Sequence, residues 1–233
     1  MSRILVTGSG SGLGLAIAET LRRFKHDVID FDHANGCDVR DPANTWGGYS
    51  DSLGNDCPAI DVLINCAGIN KTGWLENVTD GLWDEVMDVN AKGIFKMSQW
   101  ALPALIKTKG TILNIVSNAA HVPMTCSLAY NASKGAAHIM TLQLARELTK
   151  KHGITVFGIA PNKLAGTGMS LDIENQVVEQ RGWTREQARQ YQLAALLPGE
   201  ETPPQRVAEF IGFLLSEKDR HRFLSGCILP YGA

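Results

Sequence analysis

The chain has 233 residues, 44% of them apolar, enough for one sizeable core and short for two full domains. A formal net charge of -2, with no run of like charges, speaks against nucleic acid or an anionic membrane as partner. The cysteines Cys37, Cys57, Cys66, Cys126 and Cys227 form no C-x-x-C pair, the N-terminus enters a strand directly, and no apolar stretch approaches 18 residues, so a reduced, cytoplasmic protein is expected.

Apolar, β-branched runs without polar alternation predict strands buried on both faces at residues 4–6, 28–31, 62–64, 112–116, 154–159 and 227–229. Helix-length segments fall between them at residues 13–24, about 80–107, 128–151 and 204–215. The alternation implies an α/β fold, a doubly wound parallel sheet of Rossmann-like type in a single domain spanning residues 1–233.

The first strand runs into TGSGSGLG, with glycines at Gly8, Gly12 and Gly14, and then into a helix. Such a turn lets backbone N–H groups approach a pyrophosphate at the helix N-terminus, where orphan donors and the dipole favour anions. The second strand ends in VIDFD, which places Asp32 where a carboxylate accepts from both hydroxyls of an adenosine ribose and repels a 2′-phosphate; Asp30 is the weaker competitor. Ser11 offers no cation to a phosphate, so NAD is preferred over NADP. The connection from Asp32 to Asp38 is too short for a crossover helix and predicts a loop and a stub of strand.

Further on come NCAG at Asn65 to Gly68, Asn90 within DVNAKG, Ser117 closing GTILNIVS, and YNASK holding Tyr130 and Lys134. Tyr130 and Lys134 lie one helical turn apart, so the ammonium is expected to lower the phenol's pKa and fit it to exchange protons. Ser117, at the carboxyl end of its strand, is placed to donate to a substrate carbonyl. Taken in order, these motifs resemble the short-chain dehydrogenases/reductases, single-domain branch, over nearly the whole chain.

The resemblance implies catalysis by Asn90, Ser117, Tyr130 and Lys134, with Asn90 supporting a water-linked proton relay. It implies a cofactor held by Gly8, Ser11, Gly12, Leu13, Gly14, Asp32, Asp38 and Val39. Asn65, Ala67, Gly68, Tyr130, Lys134 and Pro161 complete that set, and no metal is expected. His121, Met124 and Cys126 are expected to line the substrate pocket, and His138 is given no role.

After its sixth strand the family usually carries Pro-Gly and then a threonine that helps hold the nicotinamide carboxamide. Here the text is PNKLAGTG: Asn162 replaces the glycine, with Asn tolerant of the positive φ such a turn asks for, and Thr167 comes one residue late. Lys163 is a candidate partner for an acidic substrate group. Residues 160–203 read as a substrate lid or a packing excursion, and the ending SGCILPYGA also departs from the family.

The expected activity is hydride transfer between NAD(H) and a secondary alcohol or ketone, in a homo-oligomer, a tetramer or a dimer. The alternatives are a catalytically silent dinucleotide-binding regulator and an NADP-dependent carbonyl reductase.

Overall fold

The computed structural model describes residues 1–46, 57–216 and 221–232; Ala233, the end of the C-terminal departure, lies outside them. Six parallel strands, β1 (Arg3–Thr7), β2 (Asp27–Phe31), β3 (Val62–Asn65), β4 (Thr111–Ile115), β5 (Thr155–Pro161) and β6 (Ile228–Tyr231), form one sheet in the order β2-β1-β3-β4-β5-β6. The chain leaves β1 towards β2 and returns for β3 on the other side of β1. The crevice at that reversal, beyond the carboxyl ends of the strands, is where doubly wound sheets hold ligands.

Both faces of the sheet are covered, which accounts for the strands' lack of polar alternation. Ile4 and Val6 point to the side of α1 (Gly12–Arg23) and α8 (Pro204–Leu215), packing with Ile17, Leu21, Val207 and Ile211. Leu5 and Leu63 point to the other side, towards α4 (Gly93–Thr108) and α5 (Leu128–His152), against Met97, Leu105 and Leu148. Each fully buried aliphatic side chain of this kind contributes about 1.5–3 kcal/mol.

Three expectations change. The segment after Asp32 holds a single 3-10 turn, His33–Asn35, and the short helix α2 (Pro42–Thr45), with no stub of strand among the described residues. Asp32 itself caps that turn by accepting from Ala34 N at 2.8 Å, which draws the chain out of an extended course. The segment PNKLAGTG follows the fifth strand of this sheet, since no strand is formed between β2 and β3 among the described residues. The helix expected over residues 80–107 is two helices, α3 (Asp80–Met87) and α4, joined by a π-turn at Asp88–Lys92. Within residues 160–203 stand α6 (Gly168–Arg181) and α7 (Arg185–Ala194), the latter opened by a Thr184/Gln187 capping box.

Candidate active site

The glycine-rich turn fits a dinucleotide. Gly8 and Gly12 adopt φ of 69° and 52°, the left-handed region that glycine alone enters freely. A Cβ on Gly8 would stand 2.8 Å from Ala67 Cα, and one on Gly14 would collide with the Gly8 carbonyl oxygen. The turn is thereby pressed against the NCAG turn that follows β3. Thr7 Oγ1 ties the two together, accepting from Cys66 N at 2.9 Å and Ala67 N at 3.0 Å. Ser11 caps α1 without a side-chain bond to it, so the first-turn N–H groups at Leu13 and Gly14 keep no side-chain partner and are free for an anion.

Gly10, which the spacing left as an arbitrary residue, has a definite task. Its N–H donates to Asp32 Oδ2 at 2.8 Å, and a Cβ there would meet Asp32 Oδ1 at 2.7 Å. Contact between residues 22 positions apart carries no local signature. Of the two candidate carboxylates, Asp30 is bonded by Arg22 at 2.5 Å on the surface, whereas Asp32 faces the turn.

Asp38 pairs with Arg40, whose Nε lies 2.9 Å from each carboxylate oxygen, and the guanidinium holds the carboxyl below its usual range. Val39 is buried so close to Gly93 that a Cβ there would stand 2.8 Å from Val39 Cγ2.

Asn65 is turned inward. Its Nδ2 donates to Asn114 Oδ1 at 2.8 Å and reaches Ser98 Oγ at 3.5 Å, so the amide ties β3 to β4 and α4 within the packed interior. Pro161 ends β5, and Asn162 N donates to Tyr231 O at 3.0 Å. The turn survives the loss of glycine without a positive φ at Asn162, because the Asn162 side chain accepts from Lys163 N at 2.9 Å. Lys163 is engaged by Glu201 at 3.1 Å and by Gln192. Thr167, one residue late, nevertheless comes to the glycine turn: a Cβ on Gly12 would lie 3.7 Å from it.

The four polar residues converge. Asn90, in the π-turn and fully buried, clamps Ile69 by accepting from its N–H and donating to its carbonyl, each at 2.8 Å. The other Nδ2 hydrogen goes to Ser133 Oγ at 3.0 Å, and Ser133 donates to Tyr130 O at 2.8 Å. Gly68 lies between Asn90 and Lys134, its notional Cβ 3.3 Å from Asn90 Oδ1 and 3.8 Å from Lys134 Nζ. Lys134 Nζ donates to Ile115 O at 2.9 Å and sits 5.8 Å from the centroid of the Tyr130 ring.

The expected acidification of the phenol is reversed in the protein alone. Burial raises the Tyr130 pKa, partly offset by a hydrogen bond from Ser117 that favours the anion. Burial also lowers Lys134 from 10.5 to about 8, and Cys66, close to both groups, is pushed up to about 12. The helical spacing contains no information on desolvation, which is the largest effect on Tyr130 and raises its pKa, as does the neighbouring Cys66.

Asn131, another residue the sequence reading passed over, staples the loop after β4 to α5, donating to Ala119 O at 2.6 Å and Val122 O at 2.9 Å. This loop carries Ser117 and His121; the His121 ring meets that of His138 edge-on at 4.4 Å. Met124 is exposed, and Cys126, at φ 62°, accepts from Gly73 N at 2.7 Å. Thr72 beside it is bonded to α6: its N–H and Oγ1 reach Gln176 Oε1 at 2.8 and 2.6 Å, and Gln180 Nε2 donates to its hydroxyl at 2.8 Å.

The chain is similar to known proteins in both sequence and fold. A family model described as short chain dehydrogenase matches residues 30–177. The chain is 32% identical to 2-(S)-hydroxypropyl-CoM dehydrogenase 3 of Xanthobacter autotrophicus, over 96% of this chain and 92% of that protein. An actinorhodin polyketide ketoreductase crystallised with NADPH shares the fold at TM-score 0.83 and 24% identity, over 98% of this chain and 94% of that one. A structure described as an NAD(P) dependent gluconate 5-dehydrogenase from Beutenbergia cavernae, with NADP at low occupancy, superposes at TM-score 0.78 and 26% identity, over 98% and 94% of the two chains.

Proposed function

The chain belongs to the short-chain dehydrogenase family of nicotinamide-dependent oxidoreductases, and from that premise we propose that it interconverts a secondary alcohol and a ketone with NAD(H). The observation that carries the reading is the convergence of Ser117, Tyr130, Lys134 and Asn90 beside a glycine cradle that no larger residue would leave open.

The dinucleotide, when bound, supplies or accepts the hydride. Ser117 donates to the substrate oxygen and holds it against Tyr130. In reduction the phenol gives its proton to that oxygen as the carbon receives the hydride, leaving a phenolate; in oxidation the phenolate takes the alcohol proton and returns to the phenol as the hydride leaves and the C–O bond becomes double. Lys134, with its pKa lowered to about 8 by burial, is still largely protonated at neutral pH and stabilises the phenolate formed in reduction. A phenol kept protonated by burial suits the proton donor that reduction requires.

Gly8, Ser11, Gly12, Leu13, Gly14, Ala67 and Gly68 would hold the pyrophosphate and its flanks, Asp32 the adenosine ribose, Asp38 and Val39 the adenine end, and Pro161 and Thr167 the nicotinamide end. Asp32 also supports NAD over NADP, since Arg40, the nearby cation, is spent on Asp38. Helices α6 and α7 act as the lid over the substrate. Exposed Phe95 on α4 and Ile139 on α5 support a homo-oligomer built on those helices, and sedimentation as a monomer would remove that part of the reading. Five free cysteines fit a reducing compartment such as the cytoplasm, which fractionation of the source cells checks.

The decisive experiment follows reduced-nicotinamide absorbance over a panel of ketones and alcohols. Turnover that falls by at least about 10²-fold in Tyr130→Phe, with dinucleotide binding retained, is expected for a general acid/base. Dinucleotide binding without turnover of any candidate would instead identify a silent regulator. NADP dependence is the second reading, favoured by the gluconate 5-dehydrogenase structure with bound NADP.

A further inference from the structure

The loop after β3 carries a polar side chain that neither the fold nor the proposed mechanism uses. Both amide atoms of Asn70, Oδ1 and Nδ2, are buried without a hydrogen-bond partner among the described residues. Asn65 and Asn131 also have an orphan Oδ1, but each is anchored through Nδ2, to Asn114 at 2.8 Å and to Ala119 O at 2.6 Å. Asn70 has neither anchor.

Its chain neighbours are fixed on both sides. Ile69 is clamped by Asn90, and Gly68 before it lies against Lys134. Thr72 is held under α6 by Gln176 and Gln180, and Gly73 is bonded to Cys126 in the loop that leads to Tyr130. In the chain, Asn70 therefore stands two residues after the glycine that lies against Lys134 and two residues before the threonine bonded to α6. A buried amide left unpaired on both atoms is unfavourable, and a hydroxyl, donor and acceptor at once, satisfies Oδ1 and Nδ2 together.

We propose that Asn70 is a specificity-determining residue that hydrogen-bonds a second hydroxyl next to the reacting carbon, so that the substrates are hydroxy ketones and the corresponding diols. The assignment rests on the dehydrogenase reading above and narrows its substrate class. A site built to bond a hydroxyl discriminates strongly against the analogue that lacks one, because its own polar atoms are then buried unpaired.

The test compares reduction of 2-hydroxycyclohexanone and cyclohexanone by the native protein and by Asn70→Leu, with NADH or NADPH, whichever binds. The intrinsic difference in reactivity of the two ketones cancels when the ratio of their kcat/KM values is compared between proteins. The native ratio is expected to exceed that of Asn70→Leu by at least about tenfold, with Asn70→Ser in between. The same preference is expected in binding: 1,2-cyclohexanediol raises the melting temperature of the native dinucleotide complex more than cyclohexanol does, and loses that advantage in Asn70→Leu. Should Asn70→Leu fail to fold, Asn70→Ala, which removes both amide atoms without adding bulk, is read by the same ratio. An equal ratio in native and variant proteins overturns the role of Asn70 while leaving the dehydrogenase standing. Bound dinucleotide with neither ketone reduced, over the wider panel as well, overturns both.

Discussion

Burial and charge act against each other at Lys134, where burial lowers the pKa and Cys66 acts the other way. Its ammonium is 5% exposed, has the Ile115 carbonyl as its hydrogen-bond acceptor, and drops from 10.5 to about 8. Between those two values the unfolded chain still holds a proton that the folded chain has released, so the folded state gains stability as pH rises through that window. Below about 8 both states are protonated, and the penalty for the buried charge is constant. Lys134→Met abolishes this dependence. Urea denaturation of both proteins is expected to show the native one gaining about 2 kcal/mol on the variant between pH 8 and pH 10, since each pKa unit corresponds to about 1.4 kcal/mol. A gap that stays constant with pH would mean that Lys134 is solvated rather than buried. The loss of the Ile115 bond weighs on the variant equally at every pH and does not disturb the comparison.

At the scale of elements, the strands were legible because both of their faces are buried, and long helices because they must cover those faces. The break at Asp88–Lys92 was not: a π-turn inserts one residue without changing composition, although asparagine at position 90 is a poor helix former and was a hint. Nor could the partners of Lys163 be read, since Glu201 lies 38 positions on, counting from 163 to 201. Helices α6 and α7 were visible only as a polar, helix-permissive stretch, and what attaches α6 is long-range. Thr72 and Gln176 are 104 positions apart, yet their bonds and that from Gln180 are what join α6 to the loop after β3. Three neutral hydrogen bonds of this kind contribute about 1 kcal/mol each. Gln176→Leu combined with Gln180→Leu is therefore expected to open α6 and α7 locally by up to about 3 kcal/mol, with the remainder of the fold intact. Limited proteolysis would register this as cleavage within residues 168–194 at a rate raised by about tenfold or more; cleavage unchanged from the native protein would mean that α6 is held by other contacts.

Over the whole molecule, the sheet reversal at β1 gathers elements from distant parts of the chain around one crevice, so binding there bears on global stability. The turns after β1 and β3 meet at Gly8 and Ala67, Asp32 reaches them from the end of β2, and Thr167 closes on Gly12 from the start of α6. A ligand that engages all four joins pieces that otherwise touch through few bonds. At a hundred times its dissociation constant such a ligand adds about 2.7 kcal/mol to the folded state. For a chain of this size that corresponds to a rise in melting temperature of about 5–11 °C. NAD is expected to produce a rise of that order, and NADP a smaller one at equal concentration, because the Asp32 carboxylate, as the proposed ribose acceptor, would repel a 2′-phosphate while Arg40 is held by Asp38. Asp32→Ala should shrink the shift with NAD and spare or enlarge that with NADP, since it deletes an acceptor for the ribose and a repulsion towards the phosphate in one step. Equal shifts in the native protein, or a larger one with NADP, would transfer the assignment to the phosphorylated cofactor and make the pairing of Arg40 with Asp38 a contact that opens when the phosphate arrives.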